Sequence, residues 1–158
     1  MRILIFLFTS ILFFSCTTET KKDNLGTNRE VVKRFHLVWS NNKIDQLNEL
    51  ITPDFVCHFL AGYEWKGIDG TAREIIDQHK AFPDWHEEIV DMIAENNKVV
   101  TRYKSTGTHQ GTTNGIDSTG NKISIYETSI YRLTDGKIVE QWCFADKIAL
   151  LQQLQSKK

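Results

Sequence analysis

Residues 123 to 133 and 137 to 145 form two β-rich runs joined by Thr134-Asp135-Gly136, a strong hairpin signal because aspartate and glycine accept the backbone of a tight turn between twisted strands. Upstream, Val99, Thr101, Tyr103, Ser105, Gly107 and His109 alternate along residues 98 to 109 and so share one face of a third long strand. Asn96-Asn97 turns into it from a strand candidate at 85 to 95. Residues 110 to 121 are polar and contain glycine, hence a loop. The second half of the chain therefore reads as an antiparallel meander.

Helices precede it. Thr27 with Glu30 has the form of a capping box, and Val31, Val32, Phe35, Val38 and Trp39 follow at helical spacing until Asn41-Asn42 breaks the pattern. Ile44, Leu47, Leu50 and Ile51 predict a second amphipathic helix stopped by Pro53, and Asp54 to Leu60 a strand. Gly62, Gly67 and Gly70 punctuate a loop around Tyr63-Glu64-Trp65, after which Ala72, Ile75, Ile76 and His79 lie on one face of a third helix ending before Pro83. A last helix, Lys147 to Gln155, is expected to bury Ile148, Leu151 and Leu154. With no internal repeat and no alternation of strand and crossover helix, the class is α+β, helices packed against a mainly antiparallel curved sheet that can leave a pocket.

The 158 residues suit one domain, and 41% hydrophobic with 25% charged residues is ordinary globular composition. The balance of 19 basic against 20 acidic residues lacks the footprint of a nucleic-acid binder. Residues 3 to 14 (ILIFLFTSILFF) stand apart, directly after Arg2 and without a charge. Twelve residues are short for a bilayer span of about 20, so residues 1 to 15 are expected to be a signal peptide. The run ends at Leu12-Phe13-Phe14-Ser15-Cys16, which resembles the lipobox of bacterial lipoprotein precursors, with Phe13 in place of the usual leucine. That resemblance makes Cys16 the lipidation site and residues 16 to 27 a tether, leaving a domain at 28 to 158 in an exported protein anchored to the bacterial cell envelope; an ordinary cleaved signal and an uncleaved anchor are the alternatives. Cys57 and Cys143 remain in that domain, where export permits a bridge but two buried free thiols on different strands are the plainer reading.

Several chemistries find no motif. His36, His58, His79, His86 and His109 show no HExxH or HxH spacing, so neither a metal nor another cofactor is expected, and no nucleophile elbow, P-loop or dinucleotide fingerprint occurs. Cys57 and His58 are adjacent on one strand and point to opposite faces, which rules out a thiolate pair between them. The aromatic set Trp39, Phe55, Phe59, Trp65, Phe82, Trp85 and Trp142 reads mostly as core, with Trp39, Phe82 and Trp142 taken to line a cavity for a small apolar ligand. Glu127 interrupts an apolar and hydroxylic run and is taken as a substrate-binding residue, with a strand glutamate facing solvent as the alternative. A two-residue turn at Asp135-Gly136 would pair it with Phe144 on the face of Asp146; a longer turn with a bulge would pair it with Cys143.

Phe82-Pro83-Asp84, Thr106-Gly107-Thr108-His109-Gln110-Gly111, Gly115-Ile116 with Thr119-Gly120, Ile130-Tyr131-Arg132, Asp135 to Glu140, Trp142, Asp146 and Leu150 to Leu154 together resemble the SnoaL-like polyketide cyclases, the ester cyclase family, across residues 28 to 155. The resemblance implies a nuclear-transport-factor-2-like α+β cone and an intramolecular aldol condensation without metal or organic cofactor. It makes Asp146 the acid/base residue, His109 the donor to an enolate oxygen, and His58 a pocket-wall residue. Alternation puts Asp146 on the face of Trp142 and Phe144, where burial would raise its pKa; the plain alternative is an N-cap for the last helix. Two functions follow: a cyclase or isomerase acting on a small hydrophobic carbonyl compound, or a noncatalytic module that holds a small apolar molecule or pairs with a second copy. For the anchor, Cys16→Ser should release the protein from the membrane fraction and abolish palmitate labelling with the fold intact; labelling that persists contradicts lipidation.

Overall fold

The computed structural model describes residues 25 to 156, Ala61 without its side chain; the expected signal peptide, Cys16 and most of the tether lie outside the described residues. Four α-helices pack against one six-stranded mixed sheet. Helix α1 (Leu25–Asn41) buries Val31, Val32, Phe35, His36 and Val38, the stripe its spacing predicts, and Asn42 ends it at φ 52°. It begins at Leu25, so Thr27 lies inside the helix and does not cap it.

The next segment departs from expectation. The second helix is a 3-10 turn (Ile44–Gln46) running into the single turn α2 (Leu47–Leu50), because Ile51 has already joined strand β1 (Ile51–His58). Pro53 sits inside that strand, where the pairing with the later strand Lys137–Ala145 slips between Ile51 and Val56 and no ladder hydrogen bond is demanded of its missing N–H. Residues Glu64–Lys66 form a short strand β2 on the edge, antiparallel to β1, where the sequence suggested only a loop. Gly67 opens α3 (Gly67–Ala81) at φ +66°, and a Cβ there would strike the Pro53 carbonyl, so glycine is required twice over.

Strands β3 (His86–Glu95), β4 (Lys98–Thr108), β5 (Lys122–Thr134) and β6 (Lys137–Ala145) form the meander, and helix α4 (Lys147–Gln155) closes the chain. The strand order is β2-β1-β6-β5-β4-β3, antiparallel throughout except for the parallel β1–β6 pair. Asp135 (φ 50°) and Gly136 (φ 76°) make the two-residue turn between β5 and β6. Val139, three residues after Gly136, is left without a partner: Leu133 pairs with Ile138 but Arg132 pairs with Glu140. This bulge moves the buried parity of β6 from Ile138 to Gln141 and Cys143.

The core lies between sheet and helices. Phe35 is edge-on to Phe55, Tyr131 and Trp39 at its centre. A second cluster joins Phe82 and Trp85 to Ile123 and Ile125 of β5 and to Leu150 and Leu154 of α4. Here the expected face of α4 is corrected. Asp146 starts the helix in a rotation that turns Leu150 and Leu154 inward, four residues apart, and leaves Ile148 71% exposed with Leu151 also out. The Asn121 side-chain amide binds the carbonyls of Gln153, Leu154 and Ser156, satisfying the free C-terminal end of that helix.

Candidate active-site cavity

Alternation along β4, β5 and β6 gathers the polar side chains of the inner face. Tyr103 pairs with Glu127, Ser129 with Cys143, and Tyr131 with Gln141, and all six are buried. Above them the helices leave a cavity of about 690 Å³, within the usual range for a small-molecule site. Phe35, Trp39, Phe59, Trp65, Phe82 and Trp85 supply most of its apolar wall, while Glu87, Tyr103, Glu127, Gln141 and Cys143 bring polar atoms to it. Five members of the aromatic set read from the sequence thus line the cavity. Phe55 is core, and Trp142 faces away.

Glu127 is the perturbed group of this site. The residue is 8% exposed, and the weak Cys143 thiol lies 3.9 Å from its carboxyl. Burial, reinforced by the negative charge of Glu87, pushes its pKa up to about 7; Ser105, Lys147 and Tyr103 oppose the shift but do not cancel it. The Tyr103 hydroxyl lies 3.2 Å from Ser129 Oγ and 3.5 Å from Cys143 Sγ, and burial keeps it protonated far above the usual phenol range. Cys143 is pushed up to about 12 by burial and Cys57 higher still, so both are neutral free thiols without nucleophilic character.

A second carboxylate is held differently. Glu87 accepts from His36 Nδ1 at 2.6 Å and from Trp85 Nε1 at 3.2 Å, and both members of the His36–Glu87 pair are buried. The other imidazole nitrogen lies between the Thr101 and Tyr131 hydroxyls, at 3.2 and 3.0 Å. His36, Glu87, Tyr103 and Gln141 were not singled out as site residues from sequence. The available signal for His36 was its place four residues after Val32 in the buried stripe of α1, a position a solvated histidine would not take.

The residues carried over from the family resemblance fall elsewhere. Asp146 does share a face with Trp142 and Phe144, but that face is the outer one, as the 51% exposure of Phe144 shows. Its carboxylate accepts from Ala149 N at 2.9 Å as the N-cap of α4, is exposed, and is not part of the cavity wall. His109 is fully buried behind Phe82, ring centroids 5.3 Å apart, with Nδ1 beside Thr119 Oγ1 at 3.0 Å; it too is absent from the wall. His58 sits on the outer face between Glu64 (2.7 Å) and Glu140 (2.9 Å), stacked on Trp142, with its pKa raised chiefly by Glu140. Of the expected substrate-binding residues, Glu127, Phe82 and Trp39 line the cavity; His58 and Trp142 do not.

Because the folded-state pKa of Glu127 lies above the value of about 4.5 normal for glutamate, the folded protein holds this proton more tightly than the unfolded chain. Its contribution to stability is complete below about pH 4.5 and is lost as pH rises through about 7. Glu127→Gln should therefore stabilise the protein at pH 8, by up to about 3 kcal/mol in urea unfolding, and change it little at pH 4. An equal effect at both pH values contradicts the raised pKa.

No curated protein matches the sequence. Solved structures do. The chain resembles a candidate SnoaL-like polyketide cyclase from Jannaschia sp. CCS1, with a TM-score of 0.80 and 20% identity over 87% of this chain and 98% of that one. It resembles IdmH, a candidate polyketide cyclase from Streptomyces antibioticus (TM-score 0.74, 25% identity, 82% of this chain and 99% of that one). It also resembles AclR, a candidate hydroxylase from Streptomyces galilaeus (TM-score 0.73, 27% identity, 82% of each chain). The family profile for SnoaL-like polyketide cyclase matches residues 29 to 154, which spans every element that builds the cavity, and the chain belongs to that family.

Proposed function

We propose that this domain binds a small apolar carbonyl compound in the cavity and promotes its cyclisation or isomerisation by acid/base chemistry at Glu127, with no organic cofactor or metal. The observation that carries the reading is one carboxyl, buried among aromatic rings, whose pKa lies near 7. A group that is half ionised at working pH can remove a proton α to a carbonyl and return it later. In an intramolecular aldol closure the carbanion so formed attacks a second carbonyl carbon, a C–C bond forms, and the proton held by Glu127 passes to the new alkoxide oxygen. Tyr103, opposite Glu127 on the neighbouring strand and always protonated, is the donor best placed to hold the enolate oxygen. Asp146 then serves α4 and not the chemistry.

A noncatalytic binding module is the second reading. It is favoured by the engagement of the Tyr103 hydroxyl with Ser129 and Cys143, which an enolate would have to displace. In either case the apolar segment followed by Cys16 supports a domain tethered outside the cytoplasm, so that the ligand is met in the cell envelope.

Deuterium exchange into the α position of 2-tetralone, followed by NMR, isolates the proton-abstraction step. The wild type should accelerate exchange, with a rate that rises with pH through about 7. Glu127→Gln should lower that rate roughly a hundredfold or more. Asp146→Asn should leave it within about twofold, since asparagine also caps helices. Loss of exchange in Asp146→Asn with retention in Glu127→Gln would reverse the assignment, and tight binding of 2-tetralone without exchange would favour the binding module.

A further inference from the structure

Gln141 stands on β6 at the cavity wall and is 5% exposed. Its Nε2 donates to Ser129 Oγ at 3.0 Å, which fixes the plane of the amide, and Ser129 is steadied in turn by the Tyr103 hydroxyl at 3.2 Å. The amide oxygen, Oε1, is shut off from solvent and has no hydrogen-bond partner. A buried carbonyl oxygen without a donor weakens the folded state, and native structures seldom keep one without a use. Among the described residues four other buried side-chain atoms share this condition: Thr52 Oγ1, Trp65 Nε1, Ser105 Oγ and His109 Nε2. Only Trp65 also lines the cavity, and although its N–H is a donor it makes no hydrogen bond to Gln141. No neighbouring group supplies the donor that Oε1 lacks, and Gln141 borders the cavity, so a ligand seated against it is the remaining source.

We infer that Gln141 is a specificity-determining residue, selecting cavity ligands that carry a hydroxyl or N–H donor over otherwise identical molecules that lack one. The inference rests on the cavity being the binding site and narrows its occupant to a hydroxylated or amino-bearing carbonyl compound. Discrimination arises because a ligand that seats a donor there satisfies the oxygen, whereas one without a donor leaves it as bare as it is in the empty protein. Glu127, on the neighbouring strand of the same wall, is the competing acceptor for such a donor, so a test has to separate the two.

Isothermal titration with 2-tetralone, 6-hydroxy-2-tetralone and 6-methoxy-2-tetralone does so. The wild type should bind the hydroxy compound about tenfold more tightly than the methoxy compound, the size of one well-made hydrogen bond. Gln141→Met, of similar length and without the amide oxygen, should bring that ratio close to one. Gln141→Glu, which keeps an acceptor at the same reach, should retain the preference, and so should Glu127→Gln. A ratio that survives in Gln141→Met, or one near unity in the wild type, overturns the inference and leaves the cavity reading standing. Failure of all three compounds to bind overturns both.

Discussion

The site depends on one unpaired residue in one strand. Val139 adds a residue to β6 just after the Asp135-Gly136 turn, and because side chains alternate, that single addition decides which half of β6 faces the helices. With it, Gln141 and Cys143 look inward beside Glu127 and Ser129, while Trp142 and Phe144 look out. Without it, Trp142, Phe144 and Asp146 would share the cavity face. The bulge is pinned from outside: Arg132 binds Glu140 through two nitrogens at 2.9 and 2.6 Å, and Glu140 also accepts from His58 of β1. The outer cluster is therefore part of what aims the inner one, by holding three strands in register.

Two of the carboxylates that line the cavity, Glu87 and Glu127, stand on the sheet in different surroundings. Glu87 is met by His36 and by the indole of Trp85, so its charge is answered where it sits. Glu127 has no such partner and feels Glu87 as a like charge across a poorly solvated space. The outcome is one carboxylate held by hydrogen bonds and one that trades its proton near neutrality. A candidate cyclase and a candidate hydroxylase are both among the structural relatives, so the scaffold does not dictate the reaction; in the proposed function it is Glu127 and Gln141 that restrict it.

Much of the architecture was legible in local chemistry. The order of elements follows from the switch between helical and strand periodicity, and the Asp135-Gly136 turn from its residue types. Trp39 and Phe82 line the cavity as read from the sequence, whereas Glu127 was left between two registers, opposite Phe144 or Cys143, and the bulge pairs it with Ala145 instead. What local pattern does not carry is phase. No residue type marks Val139 as a bulge, so the parity that grouped Asp146 with Trp142 and Phe144 was right while the face assigned to them was wrong. The same holds for α4, whose rotation is set by the Asp146 cap and by packing on Ile123 and Ile125, and which leaves Ile148 outside. His36 and Glu87 lie 51 residues apart in sequence, and nothing in either segment announces the other; only the packing of α1 over β3 and β4 makes them a pair.

The central claim is that Glu127 is a buried acid poised near neutrality. Its most direct test is a titration of its side-chain carboxyl by ¹³C NMR in protein labelled at glutamate, assigned by comparison with Glu127→Gln. A midpoint near 7 is the result expected for Glu127, whereas a midpoint near the ordinary 4.5 would contradict the account.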